Sequence, residues 1–145
     1  MTIIEYEDKY RDDLIFMVLQ AKDALVGKVP TINEDLLDVN VNYFQKGDKF
    51  WLAVDGNDRV VGSIGFSTLQ DSQEVRLHRL YVKASNKRQG IGSQLLTYEE
   101  EYLRSIRKSS VSVHLGEFKY YFESYSFYQK HGYKEYKPRY MMKFL

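Results

Sequence analysis

Apolar and polar positions along the chain change period several times, and each change marks an element. Thr2 to Tyr6 alternates weakly as a first strand, whereas Leu14, Met17, Val18, Ala21 and Leu25 recur at helical spacing between Lys9 and Val26. Gly27 and Pro30 end that helix. Thr31 or Asn33 can cap a second helix running to about Tyr43, with Glu34 and Asp35 in its first turn, where the dipole favours acid. Lys49 to Asp55 and Arg59 to Thr68 read as two strands around the turn-forming run Asp55-Gly56-Asn57-Asp58.

The fourth strand, Val75 to Val82, carries an irregularity. Val75 and Leu77 share one face, yet Leu80 and Val82 fall in the opposite phase, so the period of two slips near His78 and Arg79. A β-bulge is the ordinary cause of such a slip; the alternative places Arg79 and Tyr81 on an exposed edge. A helix starting near Gln94 follows, with Leu95, Leu96, Tyr102, Leu103 and Ile106 as its buried stripe and Glu99, Glu100, Glu101 and Arg104 pointing outward. Val111 to Leu115 forms a fifth strand and Tyr120 to His131 a fourth helix with Gly132 as its left-handed C-cap. Tyr133 to Leu145 forms a hairpin broken at Pro138. The order is β-α-α-β-β-β-α-β-α-β-β, an α/β (α+β) arrangement.

Bulk properties narrow the field. A length of 145 residues suits a single domain over 1–145. A net charge of +1, with no dominant basic block, argues against nucleic acid and membrane surfaces as partners. No run of 18 apolar residues and no signal-peptide layout is present, which reads as a cytoplasmic protein. The absence of Cys excludes a cysteinyl acyl-enzyme, a thiolate metal site and disulfides, so any acyl transfer should be direct.

The most informative stretch is Asn86-Lys87-Arg88-Gln89-Gly90-Ile91-Gly92-Ser93, between the fourth strand and the helix after it. A strand, a Gly-containing turn and a helix form an anion cradle, because the first helical turn leaves backbone N–H groups unpaired and the dipole adds positive charge. Glycine at 90 and 92 would let a phosphorylated ligand approach the backbone. A Walker loop needs Lys-Ser/Thr after its last Gly, but Ser93-Gln94 follows Gly92. A dinucleotide-binding turn needs a third Gly where Leu95 stands. Both readings fail.

Leu80-Tyr81-Val82, the basic-basic-Gln-Gly-Ile-Gly run, and Phe127-Tyr128-Gln129-Lys130-His131-Gly132-Tyr133 a helix and a strand later together resemble the GNAT family of acyl-CoA-dependent N-acetyltransferases. The resemblance spans roughly residues 49 to 145. It implies a mixed central sheet of about seven strands with the fourth and fifth splayed apart, acetyl-CoA as co-substrate and no metal. By this resemblance Leu80, Tyr81 and Val82 line the pantetheine arm, while Lys87, Arg88, Gln89, Gly90, Ile91, Gly92 and Ser93 hold the pyrophosphate. Lys87 departs from the family's Gln/Arg, keeping the charge but losing a planar fork of donors. A small-molecule or peptide amine would be the acceptor, with a homodimer left open.

Acetyl transfer from a thioester needs a neutral amine, a held electrophile and a proton for the departing thiolate. Tyr128, in the second motif, is the candidate acid, since a phenol and a thiol have comparable basicity; the alternative is packing within an aromatic helix. His78 is the candidate base, with Glu74, Glu117 and ordered water as rivals. His114 reads as a core or face residue, and His131 as a complement to its helix dipole. Asp23, Glu34, Asp35 and Asp38 could draw in a cationic amine or simply form a solvated face. A non-catalytic acyl-CoA sensor is the competing functional class.

Overall fold

The computed structural model describes residues 1–24, 29–70, 72–116 and 121–145. The helix stop at Gly27 and the base candidate Glu117 lie outside them. After strand β1 (Thr2–Glu5) and a 3-10 turn, helix α1 (Arg11–Asp23) buries Leu14, Met17, Val18 and Ala21, the stripe its periodicity predicts. The expected second helix is not continuous. It is divided into a 3-10 turn (Glu34–Leu37), a single helical turn α2 (Val39–Asn42) and another 3-10 turn (Phe44–Lys46). Short polar side chains cause the division by competing for backbone groups. Asn42 Nδ2 donates to the carbonyls of Asp35 and Asp38, and Asp38 Oδ1 accepts from the Val41 N–H.

The remaining strands and α-helices are β2 (Phe50–Val54), β3 (Val60–Thr68), β4 (Glu74–Val82), α3 (Ile91–Ser105), β5 (Ser110–His114), α4 (Tyr121–Lys130), β6 (Lys134–Lys137) and β7 (Tyr140–Phe144), with a 3-10 turn (Ala84–Asn86) between β4 and α3. They complete a seven-stranded sheet ordered β1-β2-β3-β4-β5-β7-β6. Among the described residues only β4 and β5 run parallel, and they pair solely over Glu74–Arg76 and Ser110–Ser112. Beyond that vertex the two strands part. Gly132 has φ +88 just after α4, as its capping role requires.

Each sheet face has its own core, a consequence of strand alternation. Trp51, Ile64, Phe66, Val75, Leu77, Val111, Val113 and Met141 meet Leu95, Leu96, Leu103 and Tyr128 on the α3/α4 side. Phe50, Leu52, Val54 and Val60 meet α1 and α2 on the other, in a core containing no residue of β5, β6 or β7. Among the described residues, no helix is long and apolar enough to cross a membrane.

The slip in β4 is a bulge. Ser63 pairs with Tyr81 but Gly65 with His78, so β4 carries one residue more than β3 across this interval. Arg79 takes φ +57, which a β-branched or bulky side chain rarely accepts. The extra residue returns Leu80 and Val82 to the face already occupied by Val75 and Leu77. On β3, a Cβ added to Gly62 would lie 2.9 Å from Leu95 Cδ1 and 3.0 Å from Ile91 Cγ2, so α3 rests directly on the sheet there.

Helix α3 departs from expectation at three points. It starts at Ile91 instead of near Gln94, because Gly90 with φ +79 turns the chain straight into it. Ile106 is 40% exposed beyond its C-terminus. Glu99 and Glu100, expected outside, are 0% and 5% exposed. Glu100 is compensated: the Tyr133 hydroxyl donates to it at 2.7 Å and Lys143 Nζ at 2.9 Å, both from segments remote in sequence.

Neither Glu99 oxygen has a hydrogen-bond partner among the described residues. Burial, reinforced by the charge of Glu100, pushes its carboxyl well above the usual range, so Glu99 is neutral. A folded-state pKa raised above the unfolded value favours folding fully below about pH 4.3, and this contribution is lost as pH rises toward the folded pKa. Glu99→Gln therefore melts at a higher temperature than the parent near about pH 8, and the two converge near about pH 4.5. A gap independent of pH in thermal melts would contradict a neutral Glu99.

Candidate active site

The link from β4 to α3 leaves a run of backbone donors unused. Lys83 N–H bonds the Val61 carbonyl at 2.8 Å, Asn86 N–H the Lys83 carbonyl at 2.8 Å, and Gln94 N–H the Gly90 carbonyl at 3.0 Å. The N–H groups of residues 88–93 between them make no hydrogen bond within the described residues. Arg88 and Gly90 take left-handed φ values of +65 and +79, which bend the run into a concave turn at the positive end of a fifteen-residue helix.

Side chains fix this turn against α4. Ser93 Oγ lies 3.0 Å from His131 Nε2, so His131 does more than complement a dipole: it ties the start of α3 to the end of α4. Lys87 Nζ lies 3.7 Å from a Glu123 carboxylate oxygen. A Cβ on Gly92 would come within 3.5 Å of both the Phe127 ring and Val82 Cγ2. Gly92 thus sits where α3, α4 and the parted end of β4 converge. Leu80 and Val82 border the α3 core, whereas Tyr81 packs on the opposite core.

Tyr128 lies on the same side of the sheet as α3. It is 7% exposed, with its ring 5.2 Å from that of Phe127 and 5.3 Å from that of Tyr133. Its hydroxyl makes no hydrogen bond within the described residues. Burial, and then the Glu99 carboxyl when ionised, push the phenol well above its ordinary pKa. The near-match to a thiol expected from unperturbed values is therefore lost, and Tyr128 holds its proton firmly.

His78 lies beside the bulge on the α1/α2 face. Its Nε2 is 2.7 Å from Ser67 Oγ and its ring faces Tyr43. Burial, and then the Arg79 charge, hold it below the usual imidazole range, so it is neutral at neutral pH. Glu74 is exposed at the paired end of β4, four residues from His78 or roughly 13 Å along the strand. His114, at the end of β5, stacks edge-on against Tyr140 and accepts from the Gly116 N–H.

Sequence inspection misses the lock on the bulge. Arg79 donates twice to Asp35, at 2.8 and 3.0 Å, and the Tyr43 hydroxyl donates to the same carboxylate at 2.6 Å. Burial opposes ionisation of Asp35, but these hydrogen bonds outweigh it and hold the carboxyl below its ordinary range. Asp35 is thereby neutralised and Asp38 caps α2, so neither is an uncommitted lure for a cationic amine. The phase slip points to Arg79; nothing in the sequence points to its partner 44 residues away.

A donor-lined turn opening into a gap between parallel strands is a seat for a long ligand with a phosphorylated end. Residues 46–135 match the family model for the acetyltransferase (GNAT) domain. The chain belongs to this family. A probable N-acetyltransferase 14 from Xenopus tropicalis is 33% identical over 64 residues, covering 43% of this chain. The chain spans 31% of the length of that curated relative in this match. An acetyltransferase of the GNAT family from Staphylococcus aureus MU50 superposes with a TM-score of 0.88 at 23% identity, covering 99% of this chain and 98% of that one. A GNAT family acetyltransferase from Brucella melitensis in complex with acetyl-CoA gives 0.74 at 15% identity, covering 99% and 87%. These likenesses establish the fold.

Proposed function

We propose that this chain moves the acetyl group of acetyl-CoA to a primary amine by direct attack in a ternary complex. The observation that carries the proposal is the run of six unused N–H groups, residues 88–93, at the mouth of the β4–β5 gap. These groups bind the pyrophosphate, with Lys87 and Arg88 adding charge and Gln89, Ile91 and Ser93 shaping the turn. The β4 backbone at Leu80, Tyr81 and Val82, past the vertex of the gap, receives the pantetheine arm. The acetyl-CoA complex of the Brucella melitensis neighbour supports this choice of ligand.

In the reaction the amine nitrogen forms a bond to the thioester carbon, the carbon–sulfur bond breaks, the thiolate gains a proton and the amine loses one. Tyr128 faces the sulfur from the α4 side and supplies a hydrogen bond or proton to the thiolate. His78, neutral at working pH, accepts the amine's proton. Because its pKa is depressed, the protonated, inactive form appears only below about pH 6.5, giving kcat/KM an acidic limb there. His78→Ala removes that limb and keeps the rise due to deprotonation of the amine itself. An unchanged pH–rate profile would leave Glu74, Glu117 or water as the proton acceptor.

A screen of amines with acetyl-CoA, following thiol release and acetylated product, tests the reading. Turnover with at least one amine is expected. Tight acetyl-CoA binding without transfer across a broad panel would favour the competing class, a sensor of acyl-CoA.

A further inference from the structure

The two sheet faces are unequally covered at the gap. Helices α3 and α4 cover one, while the α1/α2 core on the other ends at β4. Residues alternating with the core positions Val75, Val113 and Met141 therefore meet on a face of β4, β5 and β7 outside either core. They are Glu74 and Arg76 on β4, Ser112 and His114 on β5, and Tyr140 and Met142 on β7.

Arg76 is held there in an unusual way. Its Nε donates to Ser112 Oγ at 2.8 Å, and its guanidinium lies 4.9 Å from the Tyr140 ring centre. Its two terminal nitrogens make no hydrogen bond within the described residues, and no carboxylate there lies within 4.0 Å. Arg79 and Arg59 differ, each closed on an aspartate. Lys137 lies 4.3 Å from the other partner of this cluster, the Tyr140 ring centre. After burial, the charges of Arg139 and Arg76 hold His114 below its usual range, with no acidic group among the causes. Glu74 is the one acid on this face of β4, two residues or roughly 7 Å back along the strand and not paired with Arg76 among the described residues; towards the gap the charges beside Arg76 are those of Lys137 and Arg139, and its guanidinium is oriented with donors to spare.

Arg76 also pairs with Ser112 in the last β4–β5 step, at the vertex of the gap. His78 is two residues further along the same strand, roughly 7 Å away. We propose that the acceptor is an amine that also carries a carboxylate, and that this carboxylate docks on the open guanidinium fork of Arg76, with Lys137 and Arg139 adding positive charge around it. A planar fork suits a carboxylate by bidentate hydrogen bonding. The inference rests on the acetyl-transfer reading above and adds the class of acceptor.

The test uses the full chain, acetyl-CoA, and glycine, β-alanine and 4-aminobutyrate, each set against its own carboxamide. At least one acid is expected to exceed its amide in kcat/KM by roughly tenfold or more, the scale of one charge-assisted contact. Arg76→Gln erases that preference by raising KM for the acid, leaving kcat and the acetyl-CoA KM within about threefold; Arg76→Lys retains part of it. Amides equal to or better than the acids, or transfer confined to amines without a carboxylate, would overturn the inference and leave acetyl transfer standing. No transfer to any amine would overturn both. Should Arg76→Gln fail to fold by thermal melting, the parent's acid-to-amide ratio decides alone.

Discussion

Tyr128→Phe is expected to lower kcat roughly 10- to 1000-fold while leaving acetyl-CoA affinity nearly unchanged. The phenylalanine ring keeps the contacts with Phe127 and Tyr133, so only the hydroxyl is removed. That hydroxyl has no hydrogen bond to lose among the described residues, and folding stability should change little. A purely packing role therefore predicts parent-like turnover. Burial raises the cost of a full proton transfer from this phenol, so the expected loss includes a hydrogen bond that the proposed role would give to the developing thiolate, stronger in the transition state than in the ground state. Single-turnover rates with chemistry limiting distinguish the two roles. Equal rates for Tyr128→Phe and parent would reject Tyr128 as the donor.

Gly92→Val is the second large effect, expected in binding instead of chemistry. A bare Cβ at 92 already reaches ordinary contact with Phe127 and Val82, so the two γ-methyls of valine must extend into the space where β4, α3 and α4 converge. Valine is no worse than glycine within a helix, and the Cβ itself makes only ordinary contacts, so the fold is retained at a modest cost from the extra methyls. The expected result is a rise of tenfold or more in the acetyl-CoA Kd, roughly 1.4 kcal/mol or above, in a protein that still melts cooperatively well above the assay temperature. Parent-like affinity in a calorimetric titration would move the pyrophosphate away from this turn. Gly90 makes a poorer probe, since its φ of +79 would strain any side chain and confound folding with binding.

Local chemistry made much of this legible in the sequence. The period slip at His78 and Arg79 announced the bulge, and the glycines at 90 and 92 announced the turn, because both are backbone demands written into neighbouring residues. Long-range pairing was not legible. Glu99-Glu100-Glu101 looks like a solvated run, yet Glu100 is matched by Tyr133 and Lys143, 33 and 43 residues further along the chain, and only the fold brings those three together. The same is true of Asp35 and Arg79. The second helix failed for a local reason that propensity does allow, since asparagine and aspartate side chains at 38 and 42 compete for backbone groups. The open fork of Arg76 is not legible either, because an arginine on a strand gives no sign of whether a carboxylate will close it.

The most direct measurement is a crystal structure of the full chain with acetyl-CoA. Its pyrophosphate oxygens should lie within hydrogen-bond distance of backbone N–H groups among residues 88–93. The pantetheine arm should follow Leu80 to Val82, and the thioester should lie in the gap beside the Tyr128 hydroxyl. A cofactor bound elsewhere, with the turn before α3 empty and the β4–β5 gap closed, would contradict the proposed chemistry.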